Sequence, residues 1–225
     1  QNNYLLINNY FALSYNNEKG IPNWAAWRIS RNELGDFPRP NPDPFRPDDR
    51  LPKTWKRVTP SDYTGSGFDR GHLAPSADRS ASIEGMTATF LMTNMTPQTG
   101  DLNRGPWQKL EAYLRTLVTR GSDLYIIAGV YGNIGTIAQG RIVVPQATWK
   151  VALVLPNGDN DLQRVWKGTR TIAIVVPNQQ PLDINAPWRR FRKSVNHVEA
   201  LTGLDFFSNV PKNTQEVMER RVDFQ

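Results

Sequence analysis

Six prolines stand between Pro38 and Pro52, at Pro38, Pro40, Pro42, Pro44, Pro47 and Pro52. Proline lacks a backbone donor and fixes φ near about −65°, so neither a helix nor an interior strand can pass through this stretch. It reads as an extended loop. The segments before it, Tyr4 to Ser14 and Trp24 to Ser30, are rich in aromatic and aliphatic residues and read as strands. They are too short to bury a core alone. The loop is therefore internal to a fold and not a linker, and residues 1–225 are expected to form a single domain.

After the loop, apolar runs alternate with turn chemistry. Thr89 to Met95, Leu124 to Val130, Arg141 to Pro145, Thr148 to Leu155 and Thr171 to Val176 read as strands. Three helices are expected. The first opens near Pro106, since proline is favoured at the first helical position, and stops at Gly121 after Arg120. The second opens at Pro187 and ends near Gly203. Asn213 or Thr214 would cap the third, which runs to Arg220. Many strands with few helices and short turns predict an α+β fold, a central, mostly antiparallel sheet flanked by helices. No window holds 18 consecutive apolar residues, so no membrane span or membrane partner is expected. The absence of cysteine excludes disulfides, thiol nucleophiles and Cys-based zinc sites.

One of the two histidines lies in Asp69-Arg70-Gly71-His72-Leu73-Ala74-Pro75-Ser76-Ala77-Asp78. Imidazole is the side chain best suited to move protons near neutral pH. On extended backbone, Arg70 points to the same side as His72. A base beside a phosphate-binding fork is what phosphodiester cleavage requires. A net charge of +6 favours a polyanionic partner.

On the helix from Pro106, Trp107, Leu110, Leu114 and Leu117 share one face, the core side. Glu111 and Arg115 sit just off it, four apart, so they can pair. Asn103 lies near the mouth of this helix. Taken alone, an Asn before a helix is a turn or cap residue, and a Glu–Arg pair is a solvated face. Beside the histidine segment, a division of labour emerges. His72 is suited to deprotonate a water. The Asn103 amide oxygen suits a hard divalent ion such as Mg²⁺, which keeps most of its waters, and Glu111 suits holding one of them. Arg70 and Arg115 suit the phosphate charge.

The stretch Tyr63 to Asp78, with its Asp-Arg-Gly-His core, resembles the signature of the DNA/RNA non-specific endonucleases of the ββα-metal (His-Me finger) superfamily. A second block is similar too: Thr93-Asn94-Met95-Thr96-Pro97-Gln98, followed by Asn103, Trp107, Leu110 and Glu111. The resemblance runs weakly from about Tyr10 to Asn209. It implies a ββα-metal active-site motif. It implies His72 as general base, Asn103 as direct Mg²⁺ ligand, Glu111 as holder of metal waters, and Arg70 and Arg115 as phosphate contacts. For Asp69 three roles stay open: orienting the motif, touching metal-bound water, or anchoring the turn. The family carries a further arginine four residues before a Phe-Arg-Pro-Asp run. Here that run is Phe45–Asp48 and Asn41 occupies the position, so Arg39 is the nearest candidate and Arg46 the alternative.

The resemblance implies sequence-independent hydrolysis of DNA and RNA, single- or double-stranded, to 5′-phosphates. Mg²⁺ is the implied cofactor, with Mn²⁺ or another divalent ion able to substitute. Two alternatives remain: a nucleic-acid-binding module without turnover, and a metal-dependent phosphodiesterase of small or lipid substrates. The run Arg189, Arg190, Arg192 and Lys193 on the second expected helix reads first as a solvated face, then as an extension of a phosphate-binding surface. His197 is not assigned to the site. The chain starts at Gln1 with no leader-like segment, and a non-specific nuclease endangers its own cell, so a secreted or periplasmic location is expected. No signal points to an inhibitor protein or an oligomeric state.

Overall fold

A computed structural model describes residues 2–225. In chain order the strands are β1 (Tyr4–Ile7), β2 (Ala12–Asn16), β3 (Ile21–Ile29), β4 (Asp69–His72), β5 (Met95–Gln98), β6 (Ser122–Tyr131), β7 (Gly135–Ile137), β8 (Ile142–Val144), β9 (Ala147–Pro156), β10 (Arg170–Pro177) and β11 (Arg192–Lys193). The α-helices are α1 (Ile83–Ala88), α2 (Gly100–Leu102), α3 (Gln108–Thr119), α4 (Val195–Thr202) and α5 (Lys212–Arg220). A seven-stranded sheet in the order β1-β2-β3-β6-β9-β10-β11 forms the centre, every pairing antiparallel. The expected α+β fold with a largely antiparallel sheet is what the chain adopts. No helix among the described residues is long and apolar enough to cross a membrane.

Side chains alternate between the two faces of a strand. On one face Ala25, Trp27, Leu124, Ile126, Ala152, Ile172 and Ile174 meet Trp107, Leu110, Leu114 and Leu117 in the main core. The apolar stripe read on the helix is thus its buried face. On the other face Trp149, Val151 and Ala173 pack against Val195 and Val198 of α4 and against Phe206. The hairpin β4–β5 is separate from the large sheet and lies on the α3 side.

Five expectations are corrected, each by local chemistry. Tyr4 to Ser14 is two strands, because Asn8 Oδ1 accepts from the backbone N–H groups of Tyr10 and Phe11 and closes a turn. Thr89 to Met95 is mostly not a strand. Thr93 donates to Asp48, and Asn94 bonds the backbone of Ala74 and Thr89, so side chains compete with the ladder and β5 starts only at Met95. The helix at Pro106 starts earlier. Thr99 caps it by accepting from Leu102 N–H, and the helix breaks at Gly105 (φ −101°, ψ −117°), before Pro106, then resumes. Residues 188–191 form one tight turn leading into β11, and α4 begins at Val195 behind its cap Ser194. The basic run therefore lies on a turn and an edge strand. The last helix is preceded by Pro211, not capped by Asn213 or Thr214.

Gly71 pairs with Thr96 across the β4–β5 hairpin, and a Cβ there would stand 2.3 Å from the buried Gln98 side chain. Gly71→Ala is expected to cost about 1–3 kcal/mol of stability by urea unfolding, from overpacking. Gln98→Ala in the same chain should recover most of that loss. An additive double variant would show that the crowding is not the cause.

Candidate active site

The hairpin sets Arg70 and His72 on one side of β4, and Phe45 from the proline-rich loop meets both. Its ring lies 4.4 Å from the Arg70 guanidinium and 5.7 Å from the imidazole. Phe90 stands edge-on to His72 at 4.9 Å. The Trp107 indole donates to the His72 carbonyl at 3.3 Å, tying strand to helix. His72 Nε2 is shut away from solvent and has no partner among the described residues, which leaves Nδ1 as the less enclosed nitrogen. Burial, then the nearby Arg39 charge, pull the imidazole down to about 3, with Asp43 opposing. A ring so placed is neutral near pH 7, and its surroundings resist the proton more than water does for a free imidazole.

Asp69 organises the opposite wall. It accepts from Asn103 Nδ2 at 2.9 Å and from Arg104 through Nε and an Nη at 3.0 and 2.5 Å. With its amide nitrogen held, Asn103 has its oxygen left for another partner. Fixing this amide is a contact that none of the three roles left open for Asp69 named. Arg39, Asp43, Phe45, Asp69, Arg70 and Asn103 line one cleft of about 310 Å³. Arg39 is bidentate to Asp43, at 2.6 and 2.7 Å, and stacks 4.8 Å from Phe90. Arg46 instead donates to the Thr87 carbonyl at 2.7 Å and does not line the cleft. Of the two loop arginines, Arg39 is the one placed here.

Glu111 and Arg115 do not line this cleft and do not pair with each other. Arg115 donates to Asp78 at 3.0 Å, whose other oxygen accepts from the Trp27 indole at 3.0 Å. Glu111 accepts from Lys150 Nζ at 3.1 Å. A closer, better-buried partner displaces the i,i+4 pair in each case. Burial pushes the Glu111 carboxyl up, and Lys150 pulls it back. A larger cavity of about 610 Å³ lies elsewhere, and none of the residues singled out in the sequence lines it.

The donor set suits a hard divalent cation: an oriented amide oxygen beside a carboxylate, open to water, with no sulfur.

The family model described as DNA/RNA non-specific endonuclease matches residues 1–213. The chain belongs to that family. It is 50% identical over 221 residues to a protein named Nuclease from Nostoc sp., covering 98% of this chain and 79% of that one. It is 34% identical to Nuclease C1 of Cunninghamella echinulata, covering 91% and 82%. A solved structure described as the EndoG/EndoGI complex superimposes with a TM-score of 0.79 at 24% identity, covering 94% of this chain and 89% of that one, and so shares the fold.

Lys150 escaped the sequence reading, although a signal was there. It is the only charged residue in the otherwise apolar run Ala147 to Pro156. It is 1% exposed, and its ammonium lies 4.2 Å from the Trp107 ring and 5.4 Å from that of Trp27. Asp78 closes the quoted segment, yet nothing in the pattern told that it would hold Arg115.

The lowered affinity of His72 for protons has two consequences. In metal-free protein the ring should stay neutral down to about pH 5 by nitrogen-detected NMR titration, and a midpoint above about 6 would contradict its burial. The sign for stability follows from proton binding. Between the ordinary imidazole value and about 3 the unfolded chain binds the extra proton, so this contribution is complete at higher pH and is lost as pH falls through that window.

Proposed function

We propose that the protein is a sugar-non-specific endonuclease that hydrolyses phosphodiester bonds of DNA and RNA with His72 as general base and a divalent cation, Mg²⁺ first among candidates, at Asn103. The observation that carries this reading is the His72 imidazole packed against Phe45, which lines a cleft together with Asn103, Arg39 and Arg70, although His72 itself stands just outside that lining. Family membership supplies the reaction class.

In this reading a water attacks phosphorus and gives its proton to His72 Nδ1. The bond from phosphorus to the 3′ oxygen breaks, the leaving oxygen takes a proton from solvent water, His72 later returns its proton to solvent, and the products carry 5′-phosphate and 3′-hydroxyl ends. Because the nucleophile is water, no 2′-hydroxyl is needed, which fits cleavage of the phosphodiesters of both DNA and RNA. Bound at the Asn103 amide oxygen, the cation would supply Lewis-acid stabilisation of the phosphate and the leaving oxygen. Glu111, which lies outside the cleft lining and accepts from Lys150, is assigned to the waters around the cation on the family resemblance alone. Arg70 and Arg39 neutralise the scissile phosphate, and Arg115 adds charge through the donors that Asp78 leaves free. Arginine contacts to phosphate carry no base information, which fits sequence-independent binding. Secretion or a periplasmic location would keep this activity away from the cell's own nucleic acid.

The test uses plasmid DNA and total RNA with Mg²⁺ or with excess EDTA. The unaltered protein is expected to degrade both, only with metal. His72→Ala and Asn103→Ala should each lower the rate by at least about 10²-fold while still binding substrate. Binding without cleavage by the unaltered protein would replace this reading with that of a binding module.

A further inference from the structure

On the sheet face opposite the cleft, α4 and α5 pack over β9 and β10. Trp149, Val151 and Leu153 point to these helices, whereas Lys150 points the other way, to Glu111. Where the two helices meet, Glu199 of α4, Asp205 of the connection and Glu219 of α5 each bring a carboxylate oxygen within 4.8 Å of the other two. Two of these groups are already partly engaged. Glu199 Oε1 accepts from Phe206 N–H at 2.8 Å, and Asp205 Oδ1 accepts from Gln215 Nε2 at 2.7 Å.

Glu219 is different. It is 4% exposed, and its Oε1, shut off from solvent, has no partner among the described residues. A buried carboxylate oxygen with nothing to accept from is costly, and two like charges beside it add to that cost. Burial, with the Glu199 and Asp205 charges behind it, pushes the carboxyl up to about 7, while Gln215 and Lys212 oppose the rise. A cation among the three oxygens would remove both penalties at once.

We propose that Glu199, Asp205 and Glu219 form a divalent-cation site, fitted to Ca²⁺, that clamps α4 to α5 on the far side of the sheet from the cleft. The donors are all hard oxygens. Ca²⁺ binds oxygen at about 2.3–2.6 Å, so ligands on opposite sides of it stand roughly 4.6–5.2 Å apart and neighbours stand closer, which matches the observed spacing. Three carboxylates leave the remaining positions to water. Mg²⁺ demands a stricter octahedron and gives up its waters reluctantly, so Ca²⁺ is preferred. The role is structural: the clamp joins the Glu219 end of α5 to the middle of α4. It does not depend on the nuclease reading, because none of its residues touches the cleft.

The test is thermal unfolding of the full chain, stripped with EDTA and then titrated with CaCl₂ or MgCl₂. Saturating Ca²⁺ is expected to raise Tm by roughly 5 °C, with Mg²⁺ less effective. Glu219→Gln and Glu199→Gln should each raise the half-effect Ca²⁺ concentration by at least about tenfold, and Asn103→Ala should keep the rise. If Glu219→Gln does not fold, Glu199→Gln and Asp205→Asn carry the comparison. No rise in the unaltered protein would overturn the proposal. So would a rise that survives the triad variants and vanishes in Asn103→Ala, since Ca²⁺ would then be acting only at the cleft.

Discussion

A lysine buried between two indole rings fixes the geometry of this protein. Lys150 leaves the middle of an apolar strand, lies against Trp107 and Trp27, and ends on Glu111. Burying an ammonium group costs several kcal/mol unless it is paired, so the strand, the two tryptophans and α3 must come together in one arrangement. Trp107 then passes that arrangement on to the hairpin by donating to the His72 carbonyl. Asp78 makes a parallel link by joining Trp27 of β3 to Arg115 of α3. The central sheet thereby sets where the helix stands, and the helix sets where the histidine strand stands.

The cleft inherits its electrostatics from that frame. Phe45 and Phe90 strip water from His72, and Arg39 disfavours the charged ring further. On the opposite wall Asp69 spends its acceptors on Asn103 and Arg104, which presents the amide oxygen of Asn103. The residues proposed as base and cation ligand thus come from different elements. His72 is on β4 and Asn103 in the helical segment after β5, and Asp69 at the start of β4 links the two segments by accepting from Asn103.

Much of this was legible in the sequence, because it rests on short-range chemistry. The Asp-Arg-Gly-His run, the helical stripe from Trp107 to Leu117 and the strand-like runs each carry a local signal. The pairings did not. Glu111 and Arg115 have ideal spacing for each other, yet each finds a better-buried partner far away in the chain, Lys150 and Asp78. The strand expected at Thr89 gave way because Thr93 and Asn94 bond across to Asp48 and Ala74, which no local window contains. Between Arg39 and Arg46 the decision lay in the path of a proline-rich loop, which spacing cannot supply.

The claim that Lys150 and Glu111 form the joint between sheet and site is tested most directly by a double-mutant cycle in stability. The variants are Lys150→Met, Glu111→Gln and both together, unfolded in urea without metal. Each single change should cost about 3 kcal/mol by stranding its partner, and the double variant should recover at least about 1.5 kcal/mol of the summed loss. Losses that simply add would show the two groups to be independent and would remove the joint on which the account stands.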